Sequence, residues 1–253
     1  MNEHLTPKTY TKDIIDRLAK EFNDSSLDRV KTSLLNQMNW KRYAYNFSWF
    51  GRPIIQIPQD TVTFQEIIWE VKPDLIIETG IAHGGSLIFS ASMLALLQTF
   101  KMVDDPMVVG VDIEIRQHNR EQIEKHPAFK WISMIEAPST SLQTIETIRA
   151  IARKKQRILL FLDSDHTHAH VLDELYAYAP LVTIGSYAVI LDTGIETIDP
   201  SAIASDRSWG RGNSPKSALT EFLESNNHFE LDKCYHEKAW VTSAPGGIIK
   251  RLS

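Results

Sequence analysis

Leu75-Ile76-Ile77-Glu78-Thr79-Gly80-Ile81-Ala82-His83-Gly84-Gly85-Ser86 is the stretch that decides the fold. Leu75 to Glu78 is a short apolar run ending on a carboxylate, which predicts a buried strand. Glycines follow, and Ser86 to Leu97 then reads as an apolar helix. A strand, a glycine-rich turn and a helix in that order form the ligand corner of a Rossmann-like α/β fold, where glycine lets the backbone turn tightly and approach a ligand. A dinucleotide site carries G-x-G-x-x-G and holds a pyrophosphate on the helix N-terminus. Here an acidic residue precedes the first glycine. A carboxylate at that point repels a diphosphate and suits a cofactor that carries an amino group.

Outward from this corner the same alternation repeats. Strands are expected at Leu75–Glu78, Val108–Asp112, Trp131–Glu136, Ile158–Asp163 and Tyr187–Asp192, with later ones near Phe229–Asp232, Ala239–Ser243 and Gly247–Lys250. Helices are expected at Ser86–Leu97, Gln117–Lys125, Ser141–Lys154, His168–Tyr178 and Pro215–Glu224. Strands separated by helices imply βαβ units, a mostly parallel sheet and helices on both faces. The late strands lack full helices between them, so an antiparallel edge is expected, as in methyltransferases rather than dehydrogenases. Residues 73–253 form this domain. Residues 1–72 read as a helical and aromatic extension: an amphipathic stretch from Lys12 to Gln37, then Trp40, Tyr43, Tyr45, Phe47, Trp49 and Phe50. Those aromatics fit core packing, a contact between copies in a homo-oligomer, or a lid that stacks on a sugar face.

Composition narrows the partner. The chain has 253 residues, 43% of them hydrophobic, and a formal net charge of −5. That charge provides no attraction for nucleic acid or anionic membrane, so a small or neutral partner is expected. One cysteine, Cys234, cannot form an internal disulfide, and the first residues lack a signal-peptide pattern, which points to the cytoplasm. The apolar runs are too short to span a bilayer, so no transmembrane segment is expected.

The chemistry concentrates at the expected carboxyl ends of the strands, where ligands of open α/β sheets bind. Asp112 ends the second strand and is placed to accept hydrogen bonds from ribose hydroxyls. Ser139, in the turn Glu136-Ala137-Pro138-Ser139-Thr140-Ser141, can hold an adenine edge, or Ser139 or Thr140 can cap the next helix. Asp163-Ser164-Asp165-His166-Thr167-His168-Ala169-His170 ends the fourth strand, and Asp192 ends the fifth. Aspartates on adjacent strand ends can share a hard cation such as Mg²⁺, which lowers the pKa of a substrate hydroxyl and aligns it. His166 is the expected general base, with Asp163 and Asp165 beside it; His168 and His170 open a helix and can equally be structural. The loop Asp206 to Lys216 brings Arg207, Trp209 and Arg211 as candidate substrate contacts, together with Trp49 from the extension. Its last residues read as Ser214 capping a helix with Pro215 at the first position.

Trp49-Phe50-Gly51-Arg52-Pro53-Ile54-Ile55-Gln56, the glycine-rich corner, Asp163-Ser164-Asp165-His166-Thr167-His168 and Ala244-Pro245-Gly246-Gly247 together resemble the cephalosporin hydroxylase family, which includes rhamnosyl O-methyltransferases. The resemblance runs from about Trp40 to the C-terminus. It implies an S-adenosylmethionine-dependent methyltransferase fold, transfer of a methyl group to a hydroxyl, and a saccharide or glycosylated acceptor. It places the methionine part of the cofactor at Glu78, Gly80 and Gly84, its ribose at Asp112, and Mg²⁺ at Asp163 and Asp192; Ala82, His83 and Ser86 of the same corner, with Ser139, are the further expected cofactor contacts. The antibiotic-pathway member carries a Glu-Asp pair where this chain has Leu191-Asp192, which leaves one ligand to come from elsewhere, with Asp165 and Glu196 as candidates. Ala82 stands in for the second glycine of the usual pattern. Two other readings remain at this stage: an oxygenase using two histidines and a carboxylate on iron, and a silent cofactor-binding partner protein.

Overall fold

The computed structural model describes residues 14, 16–18, 25–203 and 206–253. Residues 14 and 16–18 are helical, and α1 spans Ser25–Trp40; the remainder of the amphipathic stretch expected from Lys12 lies outside the described residues. After a single 3-10 turn at Tyr43–Asn46, a hairpin forms from β1 (Phe47–Trp49) and β2 (Arg52–Ile54). Helix α2 (Pro58–Val71) begins with proline at its first position, where the missing N–H costs nothing.

Then the α/β core begins: β3 (Leu75–Thr79), α3 (Gly85–Thr99), β4 (Met107–Asp112), α4 (Gln117–Glu124), β5 (Ile132–Glu136), α5 (Leu142–Ala152), β6 (Ile158–Leu162), α6 (His168–Tyr178) and β7 (Tyr187–Ile190). It closes with α7 (Pro215–Ser225), β8 (Phe229–Leu231), α8 (Lys233–Lys238) and β9 (Ile248–Arg251). The seven-stranded sheet has the order β5-β4-β3-β6-β7-β9-β8. Pairings from β5 through β7 are parallel, while β9 runs antiparallel to both β7 and β8. The Rossmann-like sheet with an antiparallel edge is therefore as expected.

Strand periodicity divides the core into two layers. Ile76, Val108, Leu159, Phe161 and Val189 face α2 and α3, meeting Phe64, Ile67, Leu87 and Leu94. Their neighbours Leu75, Ile77, Val109, Leu160 and Ala188 face α5, α6 and α7, meeting Ile148, Leu175 and Phe222. Helices thus cover both faces.

Caps and turns follow local chemistry with one shift. Ser214 caps α7 in a reciprocal capping box with Ser217, with Pro215 at the first helical position as expected. The cap of α5 is Ser141, whose hydroxyl accepts from Thr144 N at 3.2 Å, rather than Ser139 or Thr140. The strand expected at Ala239–Ser243 does not form. Helix α8, capped by Asp232, occupies the preceding residues, and the backbone at Ser243 is drawn away from the sheet by Asp60 and Gly194. Ser243 N and Oγ donate to Asp60 Oδ2 at 2.8 and 2.9 Å, and Ser243 O accepts from Gly194 N at 3.0 Å. None of the described helices is long and apolar enough to cross a membrane.

Candidate active site

The strand order changes direction between β3 and β6, because β4 and β5 lie on one side of β3 and β7 on the other. Such a switch point opens a crevice at the carboxyl ends of the strands, where Glu78, Asp112, Asp163, His166 and Asp192 of the expected site residues lie.

The glycine-rich corner is held from three directions. Gly80 has φ +89°, and a Cβ there would fall 2.0 Å from the Asp163 carbonyl, so β3 and β6 approach closely only because position 80 has no side chain. Ala82 also has a left-handed φ of 45°, which explains why the usual pattern has glycine; alanine accepts that backbone at a modest cost. From the β4 side, Asp112 Oδ2 accepts Ile81 N and Ala82 N at 2.8 and 3.2 Å. From the hairpin side, Arg52 donates to the His83 carbonyl through Nε and Nη2 at 3.0 and 2.5 Å and to Asn119 Oδ1 at 2.9 Å. Asn119 in turn donates to the Ala82 carbonyl at 2.9 Å. Sequence reasoning missed this brace, because neither side chain belongs to the loop it holds.

Glu78 lies at the bottom of the corner with 2% of its surface exposed. Burial pushes its carboxyl up to about 7, opposed by hydrogen bonds from Ser86 and Ser90. No cation pairs with it among the described residues, so a ligand bringing an ammonium group would relieve its burial.

Across the switch point, Asp163, His166 and Asp192 each offer one ligand atom within 4.8 Å of the others. The Asp163 backbone N–H bonds Thr79 O, and Leu191 N bonds Leu162 O, which sets the two aspartates on adjacent strand ends. Asp192 adopts a left-handed φ of 54°, a backbone strain typical of functional positions. His166 Nε2 is 3.2 Å from Asp192 Oδ2. Burial first, and then the charges of Asp192 and Glu78, hold the Asp163 carboxyl well above the usual range. Glu78 and the Asp163 cluster are thus one continuous acidic run.

The other candidates are placed elsewhere. Asp165 is exposed and accepts Thr167 N at 2.7 Å. Glu196 accepts Ser214 Oγ at 2.5 Å and Gly212 N at 3.1 Å, fixing the loop before α7. His168 bonds Ser217 Oγ at 2.9 Å and Glu221 Oε2 at 3.1 Å, so it docks α6 on α7. His170 meets the fully buried Glu174 at 3.1 Å, and this bond raises its pKa. Ser139 and Ser164 hydroxyls donate to Glu174 Oε1 at 2.6 and 2.8 Å, and the Thr79 hydroxyl donates to Glu174 Oε2 at 3.1 Å. The described residues therefore do not bring together the two histidines and one carboxylate that an iron oxygenase requires.

A cleft of about 600 Å³ opens over the cluster, in the range of small-molecule sites. His166, Asp192, Gln56 and Ser243 line it, with Trp209 and Arg207 from the loop before α7 and Asn36, Tyr43 and Tyr45 from the N-terminal segment. Trp209 meets the His166 ring edge-on at 5.6 Å, and Arg207 lies 5.7 Å from the Trp209 ring centre. Trp49 and Arg211 are not in its lining. The Trp49 indole instead donates to Ser92 Oγ at 3.0 Å and packs on Phe89.

Residues 41–252 match the model of the Rhamnosyl O-methyltransferase/CmcI family. The chain belongs to that family. A Rhamnosyl O-methyltransferase of Mycobacterium leprae (strain TN) is 32% identical over 162 residues, a match spanning 61% of this chain and 66% of that protein, just under two thirds. The Rhamnosyl O-methyltransferase of Mycobacterium bovis (strain BCG / Pasteur 1173P2) is 29% identical over 76% of this chain and 73% of that one. Two solved CmcI structures share the fold at 19% identity: a Mg-SAM form with TM-score 0.55, covering 83% of this chain and 78% of that one, and an SAH form with TM-score 0.56, covering 82% and 83%.

Proposed function

We propose that this member of the Rhamnosyl O-methyltransferase/CmcI family transfers a methyl group from S-adenosylmethionine to a hydroxyl of a sugar or glycosylated acceptor, with Mg²⁺ assisting. The observation that carries the reading is the acidic run at the switch point, where Glu78 adjoins the cluster of Asp163, His166 and Asp192. The relatives named as rhamnosyl O-methyltransferases support the sugar.

The residues fit both groups. Glu78, buried without a cation partner, suits the ammonium of S-adenosylmethionine, and Asp112 suits its ribose. Asp163 and Asp192 offer hard oxygen donors to Mg²⁺. When bound, S-adenosylmethionine supplies an electrophilic methyl on a sulfonium, and Mg²⁺ acidifies and orients an oxygen ligand. The chain supplies the rest. His166, held beside Asp192, is the chain's own group placed to take the proton of the acceptor hydroxyl. Trp209 and Arg207 flank the acceptor, and of the roles open to the extension of residues 1–72, a lid is the one that the lining of the cleft by Asn36 to Tyr45 supports. A cytoplasmic enzyme is the setting this chemistry suits.

The test is transfer of labelled methyl to a rhamnosylated acceptor, with and without chelator. Labelled product that disappears in chelator and returns with Mg²⁺ is expected. NAD binding more tightly than S-adenosylhomocysteine in calorimetry would overturn the reading. So would iron-dependent oxygen consumption with no methyl transfer.

A further inference from the structure

With His166 kept for the proton, the cluster offers only two oxygen-donor side chains, Asp163 and Asp192, to a cation that prefers six oxygens. The other carboxylates once considered for this place, Asp165 and Glu196, are spent on Thr167 and on Ser214 with Gly212. One polar atom nearby is unspent. Gln56, 7% exposed, lines the cleft beside His166 and Asp192, and its side-chain amide favours the charged form of the Asp163 carboxylate. An amide favours a carboxylate's charge through its N–H side, which leaves the carbonyl Oε1 uncommitted to Asp163. That Oε1 has no hydrogen-bond partner, one of only two such buried side-chain atoms among the described residues. A buried acceptor left unpaired is costly, and native proteins rarely retain one without a use.

We propose that Gln56 is a further protein ligand of the cation site, with Oε1 as its donor atom. The inference rests on the metal reading above. Gln56 shares the cleft wall with Asp192 and His166 and neighbours Asp163, so Oε1 belongs to the same group of residues that would hold the ion. A neutral amide oxygen adds a hard donor without adding charge to a run that already includes Glu78, Asp163 and Asp192. Gln56 enters the site from the segment between β2 and α2, so the hairpin that braces the cofactor corner is also tied to the cation.

The experiment is Mn²⁺ binding to the full chain, followed by electron paramagnetic resonance, with water-proton relaxation counting the waters on the bound ion. Wild type is expected to bind and Asp192→Asn to bind much more weakly. Gln56→Leu should raise the Mn²⁺ dissociation constant about tenfold and add one water to the bound ion, while S-adenosylhomocysteine affinity stays the same. Gln56→Glu should restore tight binding and the original hydration. If Gln56→Leu does not fold, Gln56→Asn withdraws the oxygen by one methylene and should give the same gain of water. A raised dissociation constant with unchanged hydration would place Gln56 outside the coordination shell and overturn the assignment. Unchanged affinity and hydration, with Asp192→Asn still impaired, would overturn it and leave the metal reading standing. Absence of Mn²⁺ binding by wild type would remove both.

Discussion

At Glu78, burial and function pull in opposite directions. The carboxyl is raised from 4.5 to about 7 because the charged form loses water without gaining a cation. A folded pKa above the unfolded one contributes stability that is complete below pH 4.5 and disappears as pH rises through about 7. The size is about 3 kcal/mol, from roughly 1.4 kcal/mol per pKa unit. The cofactor-free chain should therefore lose stability across that window in denaturant titrations, and Glu78→Gln should flatten the slope, leaving the part due to the other raised carboxyls, Asp60 at about 6 and Asp163. Binding a cationic ligand at Glu78 should expel the proton, read as a buffer-dependent binding enthalpy near neutral pH. Asp112 has a second duty that its position at a strand end did not reveal, because its Oδ2 also holds Ile81 N and Ala82 N. Asp112→Ala should accordingly weaken S-adenosylhomocysteine binding by about 1.5–3 kcal/mol, and calorimetry that finds no change would remove Asp112 from the site.

Among the elements, the hairpin β1–β2 acts on a loop about thirty residues further along the chain. Arg52 presents a fork to the His83 carbonyl and Asn119, and a lysine presents a single point charge. Arg52→Lys should leave the fold intact, cost about 1 kcal/mol in S-adenosylhomocysteine affinity and speed hydrogen exchange at residues 80–86. Unaltered exchange there would mean that the loop holds itself. The sequence made the sheet legible because β6 is an unbroken apolar run and β3 opens on Leu75-Ile76-Ile77, and it made α7 legible because Ser214-Pro215 is a local signal. It did not make Ala239–Ser243 legible: the residue types permit a strand, and bonds to Asp60 and Gly194 decide otherwise. For the site, the aspartates and His166 were readable as strand-end residues. Gln56 was visible only as part of a resemblance, since a missing partner is a property of three dimensions.

For the whole molecule, Asp60 joins its two ends. This buried residue at the start of α2 accepts from the backbone and hydroxyl of Ser243, 183 positions later. Asp60→Ala should lower unfolding free energy by about 2 kcal/mol, and Asp60→Asn by less, because the amide oxygen can still accept the Ser243 backbone bond. Equal stability of all three forms in urea would show that the closing loop is held by packing alone. The parts of the site differ in how freely they can vary. At Gly80 any side chain would collide with the Asp163 carbonyl, so the corner and the acidic cluster are locked to one another. The cleft walls from Asn36 to Tyr45 and from Arg207 to Trp209 carry no such constraint. If these walls face the acceptor as proposed, divergence or a directed-evolution library can rewrite them while the corner and the acidic cluster are inherited unchanged, and new acceptors are reached by exchanging two surface segments rather than by rebuilding an enzyme.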